Sequence, residues 1–399
     1  MDMQRAFLAM IISFVILIGY QYLFLPPAPP APSGQVGRQG QQETQAAAPV
    51  GSAVQQGENA SVPAGPAPPS PVQAKQQTIQ PVAVNPDARD ITVETPLYTA
   101  VFFEQGGGLK SFVLKKYRTA NAEDAPSMEM ITTANPAELP MIFSLDNGAG
   151  ADLPLFKAEK ISMQVKEGGK GELKMIASQA DGIRIERFLT FNAETYLIDS
   201  RYVVTNTAAL PLQISPALVM SNGPFKSGST SSRYMFSGPA ALVNGKLEEI
   251  KPKKLAQGTY SLQGQIRWAA HVDNYFMNAL IPDAESPSTT GTFTALGEDT
   301  VRTVLAAGLL KLAPGESQEF RYEGFFGPKK LAYLRATGYD LAEAVNFGWF
   351  DILAKPCLAL MNFFYSIVPN YGLAIIVMTI LIKIVLWPLG NKSYKSMSQ

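Results

Sequence analysis

The sequence predicts an α+β membrane protein with an N-terminal transmembrane anchor, a large antiparallel β domain outside the membrane, an amphipathic interfacial helix and a second transmembrane helix. Three observations carry this. Residues 6 to 25 form an almost uncharged stretch of 20. Short β-branched and aromatic runs, punctuated by Gly, Pro and Asn, fill the chain from about Asp87 to Lys330. From Asp340 onward apolar residues become dense, and a Pro369-Asn370-Tyr371-Gly372 break falls inside them. Whole-chain averages hide these contrasts. Lys+Arg and Asp+Glu number 33 each and cancel, so the chain lacks the basic excess that electrostatic capture of nucleic acid requires.

At 1.5 Å per residue a helix of that first stretch spans about 30 Å, the thickness of a bilayer's hydrocarbon core. A cleaved signal peptide is the competing reading. Its apolar region is shorter, roughly 7 to 15 residues, and it places small residues where this chain has Tyr20, Tyr22, Phe24 and Leu25. Residues 1–25 therefore read as an uncleaved anchor. Arg5 precedes the apolar stretch and the next basic residue is Arg38, which puts the N-terminus in the cytoplasm and the segment after the stretch outside. Residues 26–86 hold 13 of the 30 prolines, eleven glutamines, four charged residues and no aromatic residue. Such a segment cannot bury enough apolar area to offset its backbone entropy, so it reads as a disordered or extended tether, a spacer.

Residues 87–330 read as one large β domain. Strands are predicted at Ile91–Thr95, Tyr98–Phe103, Leu109–Leu114, Ile161–Lys166, Ile183–Phe191, Leu197–Asn206, Leu212–Met220, Thr259–Ala269, Val301–Leu312 and Gln318–Phe326. The alternation is clearest in Ile183-Arg-Ile-Glu-Arg-Phe-Leu-Thr-Phe. The triple glycine at 106 to 108 lies between two such runs and reads as a hairpin turn. It matches no phosphate-loop spacing and no helix follows it. Pro314-Gly315 is the turn expected between the last two strands. Mostly antiparallel strands in this number suggest a sandwich.

Lys330 to Ala336 reads as a short helix, and residues 340–368 as an amphipathic one. Between Phe347 and Val368 the polar residues Asp351, Lys355, Asn362 and Ser366 are separated by 4, 7 and 4, which sets them on one narrow helical stripe. A core helix of the sandwich is the alternative; the aromatic load around the stripe fits a helix lying in the membrane interface. If Phe347 to Leu389 were one helix it would be about 65 Å long, twice what a membrane needs, so it bends at the Pro369 break. Residues 371–389 then form a second span, with Tyr371 and Trp387 as interfacial anchors. Lys392 and Lys395 place residues 390–399 in the cytoplasm, in agreement with the first span.

Lys383 is the ionisable residue inside that span. An unpaired ammonium near a helix centre costs at least about 2.5 to 3.5 kcal/mol on insertion scales, so such residues face protein or water and are usually functional. Snorkelling of its four-carbon stem to the cytoplasmic headgroups is the structural alternative. Thr379 lies one turn earlier on the same face. Elsewhere the chain is poor in reactive groups. Cys357, the one cysteine, cannot form an internal disulfide and reads as a small apolar filler. His271, the one histidine, reads as structural and leaves no mechanism needing two imidazoles, and no metal, cofactor or catalytic site is expected. A membrane-anchored protease of signal-peptidase type, with a Ser/Lys dyad, also joins an anchor to an external β domain, but gives a second span and an interfacial helix no role. A third reading is a tethered scaffold whose β domain binds a partner.

The chain resembles the YidC membrane protein insertases of Gram-negative bacteria. Met-Asp-Met-Gln-Arg before the anchor, the Pro/Gln-rich tether, Trp268-Ala269 with Asn274-Tyr275-Phe276 and Ile281-Pro282, and Phe325-Phe326-Gly327-Pro328-Lys329 all fit. Most specific are Phe347-Gly-Trp-Phe through Ala354-Lys355-Pro356, Asn370-Tyr-Gly-Leu-Ala-Ile-Ile, and Lys383 to Pro388-Leu389 followed by Asn391-Lys-Ser-Tyr-Lys-Ser-Met. The resemblance implies an inner-membrane, multi-pass protein whose β domain is a periplasmic supersandwich, with residues 26 to about 368 periplasmic or at that membrane face. It implies no covalent chemistry. Lys383, often arginine in the family, would lie in a hydrophilic intramembrane groove lined by Thr379 and attract the acidic end of a client, while Asp351 and Lys355 belong to the interfacial helix. Implied partners are nascent integral membrane proteins, the Sec translocon and lipid. The family continues with a cytoplasmic hairpin and further transmembrane helices where this chain stops at Gln399. The chain, as a fragment or a truncated form, is expected not to insert clients alone.

Overall fold

Strand patterns between Asp90 and Pro328 assemble into four sheets in the computed structural model. The structure describes residues 82–120, 122, 124–149, 153–224, 236–283, 290–297, 299–346 and 351–397; the predicted anchor and most of the tether lie outside them. The central sheet has nine strands. In spatial order they are Lys246–Glu249, Gly238–Val243, Ile266–Val272, Phe276–Pro282, Ser317–Pro328, Leu197–Asn206, Ile183–Asn192, Lys170–Ser178 and Lys157–Ala158. One five-stranded sheet is built around Tyr98–Phe103 and Leu109–Arg118, a second around Ala217–Asn222 and Thr300–Ala306, and Leu212–Ile214 pairs with Leu310–Leu312. All pairs between named strands are antiparallel except Asp90–Glu94 with Ser162–Gln164.

Alternation decides which face is buried. Along Ile183–Asn192 the residues 183, 185, 187, 189 and 191 are all buried, and their neighbours are partly or fully exposed. The buried row faces the two five-stranded sheets. Phe102 meets Phe191 edge-on with ring centres 5.8 Å apart, and Phe143 stacks on Tyr202 at 4.1 Å. One large apolar core results, with a smaller separate cluster that includes Phe103, Ile142 and Val219.

Arg187 occupies the middle of that buried row, with no accessible surface of consequence. Its Nε donates to Ser200 Oγ at 3.0 Å and its Nη1 to the carbonyl of Gly107. Its guanidinium lies 5.5 Å from the Phe102 ring centre and 5.0 Å from that of Tyr202. Burial holds its pKa below the ordinary guanidinium value, against the opposing influence of Tyr202. Gly107 is the middle of the predicted triple-glycine turn, which does join Tyr98–Phe103 to Leu109–Arg118. Glycine is required there twice over: φ is +66°, and a Cβ would stand 2.9 Å from Arg187 Nη1 and 3.1 Å from the Phe156 ring. Glu104, just before the turn, has a fully buried side chain that accepts from Arg89 Nη2 at 2.6 Å and from the Ala158 N–H at 3.1 Å. Burial alone would raise its pKa; the bond from Arg89 and the two backbone N–H groups reverse that, and the carboxyl ends below its ordinary range.

Several strand predictions divide in the structure. Leu212–Met220 breaks at Ser215-Pro216 into Leu212–Ile214 and Ala217–Asn222, because a proline cannot donate to a ladder. Thr259–Ala269 breaks at Gly264, where φ is +136°. Val301–Leu312 breaks after Ala306, and Pro314-Gly315 leads from the small two-stranded sheet into the central one rather than closing a hairpin. Phe276–Pro282 is a strand that the sequence patterns do not predict: all seven of its residues are buried, so no alternation marks it.

Helices are few. α1 is Pro252–Leu255, α2 is Leu331–Thr337, α3 is Asp351–Ile367 and α4 is Tyr371–Met397. After α2 the chain takes three consecutive positive φ values, at Gly338 (+84°), Tyr339 (+55°) and Asp340 (+56°). The two non-glycine residues are in a conformation L residues rarely adopt, and side chains hold them there. Trp268 Nε1 donates to the Asp340 carbonyl at 3.4 Å, and the Tyr339 hydroxyl donates to Glu323 Oε1 at 2.5 Å. Leu334 and Leu341, on either side, are fully buried in the β core.

Gly107→Ala is expected to destabilise the protein by about 2–4 kcal/mol, adding a disfavoured φ and a methyl group against Arg187 and Phe156. Gly245→Ala, at φ +75° but facing open space, should cost only about 1 kcal/mol. Urea unfolding distinguishes the two, and equal losses would remove the Arg187 contact from the explanation. Burial lowers the pKa of His271 from 6.5 to about 4. The unfolded chain therefore takes up a proton that the folded one refuses as pH falls from about 6.5 towards 4, and stability declines through that window by up to roughly 3 kcal/mol. His271→Gln should flatten the slope of unfolding free energy between those pH values; an unchanged slope would exclude His271 as its source.

Candidate functional site

The predicted site residues fall on α3 and α4, and a compact turn joins these helices. Asn370 caps α4: its Oδ1 accepts from the N–H of Gly372 at 2.8 Å and of Leu373 at 3.3 Å. Its carbonyl accepts the first helical bond, from Ala374 at 3.0 Å. Across the turn Tyr365 stacks on Tyr371, ring centres 4.0 Å apart and planes 13° from parallel. The proline break marked this turn in the sequence. The capping role of Asn370 had its own signal, an asparagine directly before an apolar helical run; the tyrosine pair had none, because it depends on the turn geometry.

α3 is described from Asp351 onward. Lys355 follows one turn later and is half-buried, while Asn362 and Ser366 are exposed. Apolar Leu353, Phe363 and Ile367 are exposed too, so the β domain leaves the apolar side of this helix uncovered at those positions. Pro356 sits inside the helix without ending it.

From Tyr371 to Pro388, α4 is apolar apart from Thr379 and Lys383 and is little covered. Tyr371–Pro388 is long and apolar enough to cross a membrane, and only 6% of it is buried. Among the described residues it is the one helix of that kind. A helix that is apolar all round is stable only inside protein or lipid. Thr379 is exposed, and its hydroxyl donates to the Ile375 carbonyl at 2.7 Å, so its proton is satisfied within the helix. Lys383 follows one turn later, about 6 Å along the axis and on the same face. It is exposed, between the exposed Ile380 and Ile384, and α4 contains no acidic residue. Counting along the helix, Lys383 lies about 18 Å from Tyr371 and about 7 Å from Pro388. The helix continues beyond Leu389 through Pro388 to Met397, so the predicted boundary is not a helix end. Thr379 and Lys383 thus share one face of α4, while Asp351 and Lys355 lie on the other helix.

Comparison with known proteins gives a consistent picture. Residues 90–360 match the family model of the YidC periplasmic domain. A membrane protein insertase YidC from Oleidesulfovibrio alaskensis is 35% identical over 402 aligned positions, which cover 100% of this chain and 70% of that protein. The insertase YidC of Geobacter metallireducens is 36% identical over 99% of this chain and 70% of its own length. Among solved structures, a galactose mutarotase-like protein from Lactobacillus casei aligns over 59% of this chain and 99% of its own, at 13% identity and a TM-score of 0.42.

Asn370→Ala removes the cap of α4. Amide exchange at Gly372 and Leu373 is expected to accelerate about five- to tenfold, corresponding to about 1 kcal/mol of capping energy. Unchanged protection at both amides would show that the turn, not the cap, holds the first residues of α4.

Proposed function

The chain belongs to the YidC family of membrane protein insertases, and from that premise we propose that Lys383 carries its action on nascent membrane proteins. The insertase reading is the one its relatives support; a Ser/Lys protease is not favoured. It is a bacterial inner-membrane protein with a β-rich periplasmic domain, and its work is transport rather than covalent catalysis.

The finer topology is part of the proposal. Residues 1–25 anchor the chain with the N-terminus in the cytoplasm, and residues 26–86 tether the β domain in the periplasm. α3 lies in the outer interface, its Asp351 and Lys355 stripe towards headgroups and its exposed Leu353, Phe363 and Ile367 towards acyl chains. α4 crosses to the cytoplasm. One observation carries the mechanism: Lys383 is the only cation within the apolar stretch Tyr371–Pro388.

A cation there sits in surroundings that screen poorly. Two unit charges 4 Å apart attract by about 4 kcal/mol at an effective dielectric constant of 20, against about 1 kcal/mol in water. An acidic, hydrophilic client terminus meets in Lys383 a partner that partly replaces its lost hydration, and the barrier to its crossing falls. The adjoining hydrophobic segment of the client passes sideways into lipid. Thr379 supplies hydroxyl lone pairs one turn away, in a groove that further helices complete. The Sec translocon is a cooperating partner in this scheme. Lysine rather than arginine makes the attraction that of a point charge, without a bidentate fork.

A charge series at Lys383 tests this in a full-length family context, scored by client insertion in cells depleted of their own insertase. Lys383→Arg should insert clients as well as the parent. Lys383→Gln should lose about tenfold, the equivalent of about 1.4 kcal/mol, and Lys383→Glu more. Equal insertion by all four proteins would leave snorkelling as the role of Lys383.

A further inference from the structure

The chain leaves the β domain at one end of the central sheet, and strand registers define which residues share that end. Ala240 pairs with Glu249, Gly238 with Val272 and Phe276 with Pro328. The Ile250 N–H donates to the Pro239 carbonyl at 2.9 Å, and the Lys329 N–H to the Tyr275 carbonyl at 2.6 Å. Lys251, Tyr275 and Lys330 therefore stand in one row along the strand ends. From Lys251 to Lys330 the row crosses five neighbouring strands, about 19 Å at the usual strand spacing. Ala344 and Asn346 line a small cavity together with Glu249, Val272 and Lys329, so the departing chain lies at this end as well. Asp351, the start of α3, is five residues beyond Asn346, at most about 18 Å of extended chain. α3 therefore starts within reach of this end of the sheet.

Its side chains have a particular character. Tyr275 is 63% exposed, yet its turn is tightly held: Asp273 Oδ1 accepts from the N–H of Tyr275 at 2.6 Å and of Phe276 at 2.7 Å. The ring is presented outward by a fixed turn. Lys251 and Lys330, at the two ends of the row, are exposed, as are Lys253 two residues after Lys251 and Arg335 on α2. The acidic groups next to Tyr275 are withdrawn: Asp273 is buried and Glu249 lines the cavity with Lys329. Among the described residues the exposed acids near this end are Glu343 and Asp340 on the strap and Glu194 in the turn before Leu197, outside the row from Lys251 to Lys330. An aromatic ring flanked by long cationic side chains is the composition that settles at a lipid–water boundary, with the ring among headgroups and the ammonium groups on lipid phosphates.

We propose that this strand-end face, formed by Lys251, Lys253, Tyr275 and Lys330, rests on the anionic headgroups of the membrane that α4 crosses. The inference depends on the reading of α3 and α4 as membrane-embedded. Charge complementarity selects an anionic lipid surface, and the short link from Asn346 to α3 keeps that surface within reach. Seating the face fixes the tilt of the β domain over the membrane, so the periplasmic domain and the client path keep a constant relation.

The full chain in nanodiscs, with and without phosphatidylglycerol, tests the proposal. In a Cys357→Ala background, single labels are placed through Tyr275→Cys, through Asp181→Cys at the opposite sheet end, and through Ile380→Cys within α4. A lipid carrying its quencher at headgroup depth should quench the label on Tyr275→Cys at least about threefold more than that on Asp181→Cys in anionic discs. The added changes Lys251→Glu, Lys253→Glu and Lys330→Glu should abolish that difference while thermal unfolding and deep-quencher contact at Ile380→Cys stay unchanged. Equal quenching at the two sheet ends, with Ile380→Cys still reached by a deep quencher, would overturn the face and assign it to a protein partner. Failure of the deep quencher to reach Ile380→Cys would instead overturn the membrane reading on which the proposal depends.

Discussion

A guanidinium buried with no carboxylate partner among the described residues is the constraint on which the β domain depends. Arg187 projects from the central sheet, and its charge is dispersed over the Gly107 carbonyl, the Ser200 hydroxyl and the faces of Phe102 and Tyr202. Burying a cation is tolerable only when such dipoles replace water, so the turn carrying Gly107 must arrive at one place and in one conformation. That requirement couples a five-stranded sheet to the nine-stranded one more specifically than apolar contact alone. Glu104 adds a second polar fastening at the same turn, through Arg89 and the backbone of Ala158.

The helical part that follows the β domain obeys a different logic. α3 and α4 have little protein around them, and their stability comes from backbone bonds closed within each helix, from the Asn370 cap and from the Tyr365–Tyr371 stack at the turn. In lipid that is sufficient, because unsatisfied backbone groups and not exposed leucines are what the bilayer penalises. The same rule explains the Thr379 hydroxyl bonded back to Ile375. Lys383 is the one charged residue in the apolar stretch Tyr371–Pro388.

Between these two parts lies a strap from Leu331 to Asn346. Its left-handed residues Tyr339 and Asp340 are held by Glu323 and Trp268, and its leucines enter the β core. The strap gives the sheet a defined exit point towards α3, and Trp268 holds that strap as well as filling the core.

Much of this was legible in the sequence, for reasons of period and composition. The two-residue alternation in Ile183–Phe191 reports local physics, and it sets Arg187 in phase with the buried Ile185 and Leu189. The triple-glycine hairpin and the break at Pro369 were readable because glycine and proline restrict or release φ wherever they occur. Lys383 stood out because a charge within an apolar run needs no partner to be noticed. The contacts of Arg187 were not readable, since Gly107 and Ser200 meet it only through sheet packing. Nor were Phe276–Pro282, buried on both faces, the left-handed strap, or the alignment of Lys251, Tyr275 and Lys330 at one sheet end. Residue order alone sets where the chain is apolar, proline-rich or alternating; packing settles which distant groups share a surface, because strand register, not separation along the chain, makes them neighbours.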